Sequence, residues 1–137
     1  MLDVLDRAMA LRALPMFVSL SDHEIVQLAE VCATVALRAG QSIRRAGEPG
    51  GPLFVVARGG LRLERAGTVL AEWRPGDWIT EISARGRELP GTTVTAHTTT
   101  DLVRLERDDV LDLLGDHPEL VFALGEVLLA SPRVSGP

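Results

Sequence analysis

Short apolar stretches separated by glycine and proline turns run through the middle of the sequence, between residues 34 and 105. In residues 35–39 and 61–65, larger apolar side chains alternate with smaller or polar ones, which is the period of a strand with one buried face. Residues 53–56 are apolar at every position, as expected of a fully buried strand. Turn signals recur roughly every 8–12 residues, and this spacing predicts a β-sandwich or β-barrel.

The same reasoning places the other strands and their turns. Leu61 and Leu63 are predicted to face inward, and residues 66–68 are predicted to form a hairpin connection to a strand that begins at residues 69–71. β-Branched residues favour two more strands, at 92–96 and 102–105. Glycine recurs at the tight turns of the predicted roll, at Gly47, Gly59 and Gly76.

Helical patterns come before this region. Residues 2–14 are predicted to form an amphipathic helix that Pro15 ends, because a proline disfavours helix at the residue before it. The apolar stripe of that helix is predicted to be Leu2, Leu5, Met9 and Leu14. A second helix begins at Ser21, which with Glu24 forms a capping box. Its apolar face consists of Ile25, Leu28, Ala29 and Cys32.

Two more helices are predicted after the strands. Residues 108–114 begin with acidic residues, which suit a helix N-terminus, and the helix is predicted to stop at Gly115. Pro118 fits the first turn of a last helix, which has an apolar stripe at Leu120, Val121, Leu124, Val127 and Leu128. The sequence therefore predicts one domain over residues 1–137, with a core at about 11–129 and a tail or linker at 131–137.

Charge and composition exclude several classes of protein. A net charge of −5 and a pI near 5.1 argue against a protein that binds nucleic acid. The acidic start does not resemble a signal peptide, and no apolar run reaches the ~20 residues of a membrane span, so we expect a cytoplasmic protein. Cys32 is predicted to be a buried, inert thiol. One cysteine and three dispersed histidines give no metal-ligand spacing, and no nucleophile is paired with a base, so we expect no enzyme.

Six ordered segments carry a resemblance to a known family. They are residues 14–21, residues 37–43, residues 46–48, residues 53–59, the turn at 75–77 with Glu81, and residues 92–94. In their order and spacing they resemble the cyclic nucleotide-binding domain of catabolite activator proteins, cyclic-nucleotide-gated channels and protein kinase A regulatory subunits. The resemblance covers about residues 11–129. It implies a mainly β fold with flanking helices, namely a double-stranded, jelly-roll-like β-roll with two N-terminal and two C-terminal helices.

The resemblance also implies where a ligand would bind. In the family, a short helix offers backbone N–H groups to the cyclic phosphate, a glutamate accepts a hydrogen bond from the ribose, and an arginine nine residues later pairs with the phosphate. Glu81 matches the glutamate, but Thr80 stands in place of the glycine before it. Pro90 stands where the arginine would be, and it has neither a charge nor an N–H. The phosphate site therefore looks degenerate.

The candidate ligand-binding residues follow from this match. They are Gly76, Thr80, Glu81, Ile82, Ser83, Arg85, Arg87, Thr92 and Thr93. Arg85 and Arg87 lie in the same loop, either as solvated side chains or as replacements for the missing cation. Trp78 is interpreted either as a core or rim side chain or as a ring that stacks on a purine.

Two functions remain open at this point. The first is a regulatory, non-catalytic domain with weak or lost binding of cAMP or cGMP, which couples to an effector domain or to a homodimer partner through its C-terminal helix. The second is a working sensor that binds a cyclic nucleotide or another small anion through Glu81 and Arg85 or Arg87. Neither requires a cofactor. No helix-turn-helix follows the last predicted helix, so we expect this chain to bind no nucleic acid. Because no apolar run reaches the length of a membrane span, we also expect it to insert in no membrane.

Overall fold

The computed structural model describes residues 2–43, 52–79 and 92–118. Helix α1 covers Val4–Arg12 and α2 covers Asp22–Val31, with a short 3₁₀ helix at Pro15–Phe17 between them. The helix α3 covers Arg107–Asp116. The strands are β1 (Ala33–Leu37), β2 (Leu53–Arg58), β3 (Leu61–Arg65), β4 (Thr68–Trp73), β5 (Trp78–Ile79), β6 (Thr92–Ala96) and β7 (Thr100–Leu105).

The strands form two antiparallel sheets. The first sheet has the order β1-β7-β2-β5, and the second sheet has the order β4-β3-β6. Gly59 and Gly60 carry the chain from β2 in the first sheet to β3 in the second. Ala66 and Gly67 form a two-residue hairpin turn between β3 and β4, and both have a positive φ, as such turns require. This architecture confirms the predicted β-roll with helices at its ends.

The core consists of two clusters, one on each face of the first sheet. The helix-side cluster lies between that sheet and the N-terminal helices, whereas the roll interior lies between the two sheets. In β2, Leu53 and Val55 belong to the helix-side cluster, and Phe54 and Val56 belong to the roll interior. This strand is apolar at every one of these four positions because both of its faces are buried, as predicted.

Helix α1 buries a different face from the predicted one. Leu5 and Met9 are 65% and 71% exposed, and Ala8 and Leu11 are buried instead. Leu2 and Leu14 are buried, but they lie outside the helix, which ends at Arg12. The predicted stripe was therefore wrong, because it combined helical positions with flanking residues whose direction a helical period does not describe.

Helix α2 begins as predicted. The Ser21 hydroxyl accepts a hydrogen bond from the Glu24 N–H at 3.1 Å, and the Glu24 carboxylate accepts one from the Ser21 N–H at 2.9 Å. Ile25, Leu28 and Ala29 are buried, as is Cys32 directly after the helix. Burial raises the pKa of the Cys32 thiol to about 12, and the nearby Asp109 acts in the same direction.

The C-terminal helix prediction is confirmed in part. Helix α3 ends at Asp116 rather than at Gly115, because Gly115 does not adopt the positive φ of a helix-ending glycine. The last predicted helix, at 118–129, lies outside the described residues apart from Pro118, and so do the tail at 131–137 and Gly47. The structure also contains β5, a two-residue strand that follows the predicted turn at 75–77.

Candidate functional site

The candidate site is reached through the turn before β5. Gly76 has a φ of +93°, and a Cβ built on it would meet nothing within 4 Å. The glycine is therefore needed for its backbone conformation rather than for space. Its N–H donates to the Val56 carbonyl oxygen at 2.9 Å, and the Val56 N–H donates to the Asp77 carbonyl oxygen at 2.9 Å.

The turn is also held by one of its own side chains. The Asp77 carboxylate accepts a hydrogen bond from the Arg74 N–H at 2.7 Å. Because these bonds tie the turn both to itself and to β2, they fix the direction in which β5 starts. Gly76 thus positions the entrance to the candidate binding loop.

β5 directs its two side chains to opposite faces of the first sheet. Ile79 is fully buried in the roll interior, whereas Trp78 packs against the helix-side cluster. The two residues pair with Phe54 and Val55 of β2, respectively. The structure therefore places the Trp78 ring on the face of the sheet away from the roll interior, which favours its interpretation as a packing residue.

The binding-loop residues join the two sheets. The chain leaves the first sheet after Ile79 and returns in the second sheet at Thr92, whose backbone pairs with Arg65 of β3. Thr93 pairs with Glu64 in the same register. The other candidate ligand-binding residues, with Pro90, lie outside the described residues: Thr80, Glu81, Ile82, Ser83, Arg85 and Arg87.

The buried cluster of the roll interior consists of apolar side chains in the described part of the chain. Trp73 is the largest fully buried side chain among the described residues of this cluster and is 1% exposed. Its indole Nε1 is buried and has no hydrogen-bond partner among the described residues.

Arg104 is a candidate residue that sequence reasoning missed. It pairs with Phe54, which in turn pairs with Ile79, so the three residues form one row across the first sheet. Its neighbour along β7, Val103, belongs to the helix-side cluster, and alternation therefore places Arg104 on the side of the roll interior. Its Nε lies 3.0 Å from Glu106 Oε1. The sequence of β7 alone does not show which face of the sheet Arg104 lies on, because that depends on the pairing of the strand.

The described residues also form a groove beside the first sheet. A groove of about 320 Å³ lies between α1 and β2, and Gly76 is at its edge. Within residues 2–43, 52–79 and 92–118, no three His, Cys, Asp or Glu side chains lie together as a metal site would need. None of the helices described there is long and apolar enough to cross a membrane.

Comparison with known proteins agrees with this geometry. Residues 34–117 match the family model described as "Cyclic nucleotide-binding domain". The chain is 38% identical to a cGMP-dependent protein kinase of Caenorhabditis elegans over 64 residues, which are 47% of this chain and 8% of the kinase. It is 31% identical to a cyclic nucleotide-gated potassium channel of Mesorhizobium japonicum over 108 residues, which are 79% of this chain and 30% of the channel. The chain thus spans less than a third of either relative.

A solved structure shows the same similarity in three dimensions. The catabolite activator protein of Thermus thermophilus superposes with a TM-score of 0.64 and 28% sequence identity. The match covers 83% of this chain and 56% of that protein.

Proposed function

Because the chain belongs to the cyclic nucleotide-binding domain family, we propose that it is a regulatory, non-catalytic module whose binding of cAMP and cGMP is weak or lost. The single observation that carries the proposal is Pro90, at the position where the family places its phosphate-binding arginine. Thr80 adds to it, since its side chain stands where the family's glycine lets the nucleotide approach the backbone.

The missing arginine has a large expected effect on affinity. A hydrogen bond to a charged group contributes about 1.5–3 kcal/mol, and removing it weakens binding by about tenfold to more than a hundredfold. Guanidinium is suited to this role because its charge is permanent and its geometry matches two phosphate oxygens. Proline supplies neither feature, so a micromolar site would become a weak one.

A second candidate function is a sensor that binds a cyclic nucleotide or another small anion with altered chemistry. Its support is Glu81, which is retained, together with Arg85 and Arg87 in the same loop. The position of Arg104 adds a third cation on the side of the roll interior, in the same row as Ile79. The Arg104 Nε lies 3.0 Å from Glu106 Oε1 but makes no hydrogen bond among the described residues, and both side chains are more than a third exposed, so this ion pair does not decide between the two functions.

The experiment is a calorimetric titration of the chain with cAMP and cGMP, supported by thermal unfolding. We expect no binding up to millimolar nucleotide. A gain-of-function variant, Thr80→Gly with Pro90→Arg, should raise the affinity at least tenfold, because it restores the two features that the family uses. Binding by the natural chain at micromolar concentration would contradict the proposal.

Matched variants separate the two functions if binding is observed. Arg85→Ala with Arg87→Ala, and Arg104→Ala separately, would remove the alternative cations. Arg38→Ala is the control, since Arg38 is an exposed arginine directly after β1, the edge strand of the first sheet. A loss of affinity in one of the first two variants, but not in the control, would establish the sensor.

We further propose that the module acts on a partner rather than on a substrate. The apolar stripe predicted for residues 118–129 fits a surface that contacts an effector domain or a second copy of the chain. The two relatives, a kinase and a channel by name, are longer proteins of which this chain matches only a part. A net charge of −5 disfavours nucleic acid as the partner, and we expect the module to work in the cytoplasm.

A further inference from the structure

Strand β1 is an edge of the first sheet and lacks the features that usually protect an edge strand. In the order β1-β7-β2-β5, its described pairing is with β7 alone. Its five residues, Ala33–Leu37, include no charge and no proline, and their pairing with β7 contains no bulge. Natural sheets use such devices because the unpaired N–H and C=O groups of an exposed edge can pair with another strand.

The hydrogen bonds of the first sheet show which way the backbone groups of each strand point. Val56 of β2 bonds towards β5, since it accepts from the Gly76 N–H and donates to the Asp77 carbonyl oxygen, each at 2.9 Å. Bonding directions alternate along an antiparallel strand, so Val55 bonds the other way, to its partner Val103 in β7.

The same alternation continues into β1. Leu102, next to Val103 on β7, bonds to its partner Val35 in β1. The backbone groups of Thr34 and Ala36 therefore point away from the sheet, and neither residue has a backbone hydrogen bond to any other described residue in that direction. Ala36 is exposed and Thr34 is half-buried.

The neighbouring outward positions are already bonded within the chain. The Cys32 N–H donates to the Ala29 carbonyl oxygen at 3.3 Å, and the Arg38 N–H donates to Gln41 Oε1 at 2.7 Å. The edge of β1 thus offers two residues with open donors and acceptors, and its ends are closed.

The side chains around this edge suit a second copy of the same strand. Val35 and Leu37 pack against the roll interior but are only half-buried, so a neighbouring strand would cover more of their apolar surface. Exposed charges of opposite sign lie beyond the two ends, Glu30 before the strand and Arg38 after it. Antiparallel pairing of two copies brings the acidic end of each beside the basic end of the other.

We propose that β1 pairs in antiparallel orientation with β1 of a second copy of the chain. A pair centred on Val35 places Thr34 of each copy opposite Ala36 of the other, so that each of these two residue pairs exchanges two backbone hydrogen bonds. Each copy uses its one β1 edge, and the assembly therefore closes as a two-fold dimer. This surface is separate from the one proposed at residues 118–129, and it does not depend on nucleotide binding.

The dimer should be weak, because two five-residue strands cover far less surface than the ~1,200 Å² of a standard interface. We expect a dissociation constant of about 0.1–1 mM, measured by sedimentation of the chain between about 10 µM and 2 mM. In nitrogen-15 NMR spectra of the same samples, the amide resonances of Thr34 and Ala36 should shift with concentration. The Val35 amide, which bonds to β7, should shift less.

Two substitutions at one position test the backbone pairing. Ala36→Pro removes an outward N–H, and proline is accepted on edge strands where that N–H points away from the sheet. It should weaken dimerisation at least tenfold, since the dimer uses the lost bond twice. Ala36→Val is the matched control, because valine keeps the N–H and favours a strand. Circular dichroism and thermal unfolding should show that both variants fold.

A charge exchange tests the orientation, and it does so even if Ala36→Pro does not fold. Arg38→Glu places like charges at both ends of the pair and should weaken the dimer about two- to fivefold. Adding Glu30→Arg to that variant should restore the affinity of the natural chain.

Three results would overturn the proposal. They are a chain that remains monomeric at the highest concentration, a series of species larger than a dimer, and a dimer that neither Ala36→Pro nor Arg38→Glu weakens. The last result would assign the dimer to another surface, such as residues 118–129. At the micromolar concentrations of the ligand titration the chain would be monomeric, so failure of this proposal and failure of the proposed function are distinguishable.

Discussion

Replacing Gly59 by alanine tests how the two sheets are joined. Gly59 has a φ of +80° and lies directly after β2, at the crossing between the sheets. A Cβ at this position would overlap the Thr99 carbonyl oxygen and would lie 2.8 Å from Thr100 Cα. Both are backbone atoms, so no side chain can rotate away to make room.

The expected loss of stability has two parts. Alanine in the left-handed region costs about 1–2 kcal/mol relative to glycine. Forcing an extra carbon into a packed region costs a further ~1–3 kcal/mol. The added carbon would also lie 2.5 Å from Thr100 Oγ1, which donates to the Gly60 carbonyl oxygen and accepts from the Gly60 N–H, each at 3.0 Å. We therefore expect Gly59→Ala to lose about 2–5 kcal/mol of unfolding free energy.

Two other glycines separate these parts. Gly67 and Gly76 have φ values of +80° and +93°, but a Cβ at either position would meet nothing within 4 Å. Gly67→Ala and Gly76→Ala should therefore lose only the conformational part, about 1–2 kcal/mol. Urea unfolding followed by tryptophan fluorescence would measure all three variants. If Gly59→Ala is no less stable than Gly76→Ala, the packing described at the sheet crossing is wrong.

Two further predictions concern the helix-side cluster. Leu11→Ala should lose about 2–5 kcal/mol of unfolding free energy because Leu11 is fully buried. Leu5→Ala should change the unfolding free energy by less than ~0.5 kcal/mol because Leu5 is exposed. Equal losses in urea unfolding would contradict the buried face assigned to α1. Cys32, with its pKa raised to about 12 from 9.0, should react with iodoacetamide at pH 8 roughly a thousandfold more slowly in the folded chain than in urea, and similar rates would show that the thiol is accessible. Because the unfolded thiol loses its proton first, Cys32 should also make the fold less stable as the pH rises from about 9 towards 12.

The sequence predicted those elements that local chemistry determines. The capping box of Ser21 and Glu24 depends on residues three apart, and both of its hydrogen bonds are present. Because turns flank the short apolar run of β2, the sequence predicts a strand that is buried on both faces, and β2 is buried in this way. Local sequence patterns gave the wrong prediction, or none, where the structure of an element depends on the part of the chain that packs against it. The buried face of α1 depends on which side meets the sheet, and the two-residue β5 exists only through its pairing with Phe54 and Val55.

The candidate site shows the same division. The turn at Gly76 was predictable because proline, glycine and aspartate specify it locally, whereas the orientations of Trp78 and Arg104 depend on which strands lie beside them. The identification of Glu81 and Pro90 with ligand-binding positions came from resemblance to a family, not from the chemistry of the chain alone. A resemblance of this kind assigns positions, and the residues found at those positions then determine whether the assigned chemistry is available.

The constraints on folding and on ligand binding therefore fall on different residues. Gly59 is required by the crossing between the sheets, and Trp73 by the roll interior that it fills. Thr80 and Pro90 are predicted to affect nucleotide affinity, because they match positions at which the family contacts its ligand. It follows that Thr80→Gly with Pro90→Arg should raise nucleotide affinity and leave the unfolding free energy of the ligand-free chain nearly unchanged. Gly59→Ala should instead lower the unfolding free energy and leave the nucleotide affinity of the folded chain nearly unchanged. A β-roll can thus lose its ligand and keep its shape, and a module whose shape persists can still present a surface to a partner.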